Sequence, residues 1–105
     1  MGVTIKQFTD LISDSDHRAK FVALVKTPII MIGDCVEGIV DDQAKKVTLV
    51  FEQDQDWTLD VKTFLEYVEE HQVDDYEIWI RYFGKRPVKL KLIELVLKPH
   101  SVQFG

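Results

Sequence analysis

Ten carboxylates stand between Glu52 and Glu77 against a single lysine, Lys62. The densest part of that run is Glu66, Glu69, Glu70, His71, Asp74 and Asp75, and chemistry would be sought there first. Carboxylate oxygens with one imidazole suit a hard or borderline divalent cation. The spacing, however, follows none of the helical zinc, calcium-loop or paired-iron patterns that bring such ligands to one point. Long charged side chains are rarely buried, so these residues read as a solvated helix face followed by an acidic turn.

Nucleophilic chemistry has even less to work with. Cys35 follows Gly33 and Asp34 at the start of a strand-like run, with neither a base nor a helix N-terminus beside it in sequence. It reads as a small buried apolar residue. His17, His71 and His100 are scattered, and no Ser or Cys partner stands near them in a catalytic motif. Gly33 and Gly38 lack the Gly-rich context of a phosphate-binding loop. No metal or cofactor motif is present.

Arg81, Lys85, Arg86, Lys89, Lys91 and Lys98 interleave with Tyr82 and Phe83, a mixture that suits single-stranded nucleic acid. The acidic remainder of the chain would repel phosphate, which argues against direct nucleic-acid binding. Lysines on an edge strand also serve to deter sheet-to-sheet aggregation. Trp57 stands among Asp54, Asp56 and Asp60, either packed on the helix that follows or exposed as an interface anchor.

These side chains must be placed by elements, and the elements are readable. Thr4 and Gln7 have capping-box spacing, with Val3 and Phe8 at staple positions. Ile5, Phe8, Leu11 and Ile12 form one helical face, which Ser13–Asp16 ends. Ala19 to Lys26 reads either as a buried strand or as a helical turn capped by Ser15 or Asp16; its short, β-branched run, closed by Thr27-Pro28, favours the strand. Ile29–Ile32 is another short strand, broken at Gly33-Asp34. Val36–Val40 and Lys46–Glu52 are the arms of a hairpin. A second helix runs from about Thr58, its N-cap, to His71, with Asp60 in its first turn and Val61, Phe64, Leu65 and Val68 facing inward.

The stretch from Tyr76 to Lys98 reads as a C-terminal hairpin turning at Gly84–Pro87. Tyr76, Ile78, Ile80 and Tyr82 share one face of its first strand; Glu77, Trp79, Arg81 and Phe83 share the other. In the second strand Val88, Leu90 and Leu92 hold one phase, and Ile93, Leu95 and Leu97 hold the opposite one. A single strand cannot change face, so either a bulge lies near Leu92-Ile93 or the two halves pack against different things. The whole predicts an α+β domain over 1–105, with two helices on one face of a mostly antiparallel sheet of about five to six strands.

Composition sets the outer limits. The 105 residues fit one domain with a core of its own, and a charged fraction of 30% is ordinary. The longest apolar run is too short to span a bilayer, and the N-terminus lacks signal-peptide character. One cysteine cannot form an internal disulfide, so a cytoplasmic location is expected. Residues 1–80 carry 17 acidic and 7 basic side chains, whereas residues 81–105 carry 1 and 6. The chain is bipolar in sequence, which is more informative than its net charge of −5.

With no catalytic constellation legible, the sequence points to a non-enzymatic protein-interaction module. It would associate with itself, as a homodimer, through the C-terminal hairpin. Partner contacts are expected from Trp57, Glu66, Glu69, Glu70, Trp79, Arg81, Lys89, Lys91, Ile93 and Leu95. One alternative is an acidic inhibitor or immunity-type protein that blocks a basic, nucleic-acid-processing partner, its carboxylates imitating phosphates. Another is a small-ligand-binding domain or an enzyme of unrecognised type.

Overall fold

The computed structural model describes residues 2–26 and 29–105; the Thr27-Pro28 stop lies outside them. In chain order the elements are α1 (Ile5–Ile12), β1 (Lys20–Lys26), β2 (Ile30–Asp41), β3 (Lys46–Glu52), α2 (Val61–His71), β4 (Glu77–Tyr82) and β5 (Val88–Lys89). A 3₁₀ turn at Leu92–Glu94, then β6 (Val96–Lys98) and β7 (Ser101–Phe104), complete the chain.

Helix α1 begins as its sequence predicts. Thr4 Oγ1 accepts from the Gln7 N–H at 3.2 Å while Gln7 Oε1 accepts from the Thr4 N–H at 2.9 Å. Each group satisfies a donor that the first helical turn leaves free. Helix α2 starts later than predicted, at Val61, and its cap is Asp60, whose Oδ1 accepts from the Thr63 N–H at 2.8 Å. Thr58 is otherwise engaged: its hydroxyl donates to the Phe21 carbonyl at 2.9 Å. Leu59 is held too, donating to Cys35 O at 2.7 Å and accepting from Phe21 N–H at 2.8 Å. It thereby fills the gap where β1 and β2 diverge.

Among the described residues, seven strands form one mixed sheet in the order β5-β4-β3-β2-β1-β7-β6. This corrects the expected five to six strands and the mostly antiparallel pattern. The β3·β4 and β1·β7 pairs are parallel. Parallel neighbours need a long connection, and α2 is the one between β3 and β4. The predicted break at Gly33-Asp34 does not occur either, because β2 runs through it and carries its irregularity at a bulge between Cys35 and Glu37.

The C-terminal run is not one strand. Only Val88 and Lys89 pair with β4, whereas Val96–Lys98 pairs with β7 at the opposite edge of the sheet. The phase change at Leu92-Ile93 is therefore a crossing from one edge to the other, through the 3₁₀ turn. A flat seven-stranded sheet would put its outer strands about 29 Å apart. The backbone from Lys89 to Val96 reaches about 25 Å at most, and less with a turn in it. The sheet must curl, and it does: the rings of Phe51 on β3 and Phe104 on β7 lie 5.0 Å apart across the concave side.

Both helices plug that concave side. Phe8 meets Phe21 and Phe64 edge-on, at 5.7 and 5.3 Å, and these three with Phe51 and Phe104 form one buried cluster. Such aromatic pairs add about 0.5–1.5 kcal/mol each beyond their buried area. Strand β3 is buried on both faces: Thr48 and Val50 on the convex side are buried, flanked across the ladder by Ile39, Trp79 and Arg81 of the neighbouring strands.

Candidate functional site

The two ends of the curled sheet differ in chemistry. At one end the β2–β3 turn meets the C-terminus of α2 and the start of β4. Tyr76 donates its hydroxyl to Asp42 Oδ1 at 2.7 Å, and Lys45 pairs with Asp75 at 3.8 Å. Asp41, Asp42 and Asp75 surround Tyr76, and Asp42 and Glu70 flank Tyr67. The hydrogen bond to Asp42, before all other causes, raises the Tyr76 pKa; burial, then Asp42 and Glu70, raises that of Tyr67. Acids from two distant parts of the chain thus form one negative pole. Glu66, Glu69 and Glu70 are exposed on α2 beside it, with Lys62 reaching Glu66 at 4.0 Å.

On the convex face, Trp79 lies between two lysines. Lys46 Nζ stands 4.6 Å and Lys89 Nζ 5.8 Å from its ring centroid, and the indole N–H donates to Glu77 Oε1 at 2.9 Å. Lys89 also reaches that carboxylate at 3.6 Å. Sequence alternation sets Trp79 and Arg81 on one face of the strand; the structure pairs Trp79 with Lys89 across β4 and β5 and engages the indole internally rather than leaving it as a free anchor.

The remaining expected contacts separate. Trp57 is 54% exposed in the loop before α2, Lys91 is exposed, and Ile93 is 91% exposed on the crossing segment. Leu95 is half-buried and packs against the core, whereas Leu92, Ile93, Val96 and Leu97 around it are exposed.

The opposite end of the sheet holds what sequence reasoning missed. Ile29, Ile30 and Ile32 are 67%, 66% and 64% exposed. Beside them, Leu24, Val25, Lys26, Val96, Gln103, Gly105 and Glu94 line an open groove of about 360 Å³. The one sequence signal was five consecutive residues, Ile29–Gly33, without a charge.

Two features bear on chemistry. Burial pushes the Cys35 thiol up to about 12, so it stays protonated at neutral pH and behaves as a core side chain. Among the described residues, no three His, Cys, Asp or Glu side chains converge as metal ligands would. An apolar cavity of about 30 Å³, between Gly38, Val47, Leu49, Leu59, Phe64 and Tyr67, has room for about one water and not for a ligand. No helix among the described residues is long and apolar enough to cross a membrane. No family model matches the chain, and neither does a curated protein or a solved structure.

Proposed function

We propose that this protein is a non-enzymatic interaction module that associates with a second copy of itself. The carrying observation is the set of aliphatic side chains left outside at one end of the sheet, Ile29, Ile30 and Ile32, beside the open groove lined by Leu24, Val25 and Val96. Isolated exposed aliphatics need no explanation, whereas several at one end mark an interaction surface. The test is sedimentation velocity from low to high micromolar protein, at two salt concentrations. An apolar interface predicts a concentration-dependent rise in mass that survives moderate salt. A strict monomer throughout would defeat the reading.

The negative pole favours a second reading, in which the module blocks a basic, nucleic-acid-processing protein. Asp41 and Asp42 joining Glu70 and Asp75 supports it. Binding would be salt-sensitive and lost in the triple variant Glu66→Lys, Glu69→Lys, Glu70→Lys. Capture of a basic partner equally well by that variant would remove the acidic face from consideration.

A further inference from the structure

The β1–β2 hairpin outruns both of its neighbours. On one side β7 accompanies β1 only as far as the Ala23–Phe104 pair. On the other, β3 accompanies β2 only from the Asp34–Glu52 pair onward. Among the described residues, Leu24–Lys26 and Ile30–Ile32 therefore form a two-stranded ribbon that projects past the sheet. Such a ribbon is marginal in water by itself, and the outer edge of Ile30–Ile32 offers unpaired backbone. Two of the usual protections, a lysine and a bulge, are missing from that edge. The bulge lies farther along, at Val36.

We propose that this edge is a twofold seam, on which β2 of a second copy adds in antiparallel register centred on Met31. The inference rests on the self-association reading above and assigns its surface. The free edge is three residues long, and only a register centred on Met31 pairs all of it with itself. That register sets Ile30 of each copy against Ile32 of the other on the convex face, bringing four isoleucines together.

Charge points to the same occupant. Asp34 and Glu52 stand directly opposite each other at the root of the hairpin, like charges in a cross-strand pair, and neither has an ion pair among the described residues. Lys26, beside Ile30 near the tip, has none either. Antiparallel addition of a second copy carries each tip toward the other's root, so Lys26 approaches the acidic pair. A second copy supplies the strand, the aliphatic side chains and the complementary charge at once.

The experiment compares wild type, Ile32→Lys and Ile93→Lys by sedimentation over the same concentration series, with circular dichroism confirming the fold. Ile32 is two-thirds exposed, so lysine there is tolerated by the monomer. The seam predicts that Ile32→Lys shifts the distribution to monomer while Ile93→Lys behaves as wild type. In parallel, a Met31→Cys, Cys35→Ala protein should form a disulfide-linked dimer under mild oxidation, because Met31 alone meets its own copy. A monomeric wild type overturns both the self-association reading and the seam. A dimeric wild type unaffected by Ile32→Lys, or a Met31→Cys protein that stays unlinked at dimer-forming concentration, overturns the seam and leaves self-association standing.

Discussion

The ring of Phe83 occupies the space that a side chain on Gly33 would need. A Cβ at Gly33 would collide with that ring and stand 2.8 Å from the Glu52 carbonyl oxygen. Phe83 itself is at φ +50°, followed by Gly84 at +75°, in a turn closed by the Lys85 N–H donating to Tyr82 O at 2.9 Å. Two successive positive φ values suit a tight hairpin turn but cost a non-glycine residue about 1 kcal/mol. The strain aims the ring at the glycine.

Gly33→Ala should therefore destabilise the protein by about 1–3 kcal/mol, as overpacking does. Urea titration would show a lower midpoint with an unchanged slope. Adding Phe83→Ala should make the two changes strongly non-additive. Simple additivity would mean that the ring is not what crowds position 33.

Gly38→Ala should have the opposite sign. A Cβ there meets Leu49 Cδ2 at 3.6 Å and Val47 Cγ1 at 3.8 Å, ordinary contact distances beside the apolar cavity. The expected gain is about 0.4–1 kcal/mol, chiefly through reduced freedom of the unfolded chain. Thermal melts read it directly; a loss would show that the strand cannot accept a side chain at this position.

Asp60→Ala should cost about 1 kcal/mol through loss of the α2 cap. Asp60→Asn should retain most of the stability, because an amide oxygen also accepts from the Thr63 N–H. Chemical denaturation of both variants separates capping from a simple charge effect. Equal losses would favour charge.

Stability should fall at alkaline pH. Cys35 in the folded protein titrates near 12 rather than near 9, chiefly because burial disfavours the thiolate, and burial followed by Glu94 likewise raises Tyr82 from 10 to about 12. Between the unfolded and folded values the unfolded chain binds fewer protons, so unfolding becomes easier as pH rises from about 9 to about 12. Denaturation curves across that range should show the decline, and Cys35→Ala should flatten part of it. An unchanged slope in that variant would exclude the thiol as a contributor.

What the sequence disclosed was local. The Thr4–Gln7 box, the β1 strand and the β2–β3 hairpin arms depend on neighbours a few residues away, and each stands where its residues predict. The Asp60 cap was misassigned to Thr58 because a threonine's preference for a distant carbonyl, Phe21 O, leaves no local trace. The parallel pairs joined residues too distant for pattern to connect, although a helix between β3 and β4 was a usable hint. The phase change near Leu92-Ile93 was visible as an anomaly, but its destination at the far edge was not. Ile29–Ile32 read as a strand, and Ile30–Ile32 is one, but an aliphatic run reads the same in a core and on a free edge, so its exposure was not legible. The negative pole was half legible, since only folding brings Asp41 and Asp42 to Glu70 and Asp75.

The β1·β7 pairing carries a consequence for how the chain acquires its shape. Residues 20–23 receive their parallel partner only from residues 101–104. Closing so long a loop before any reward is slow compared with forming a hairpin or a helix. A nascent chain on the ribosome would hold β1 with one side open until Ser101–Phe104 emerged. Through that interval Phe21 and Ala23 would lack their cover, and the growing polypeptide would be a substrate for chaperones that shield apolar segments.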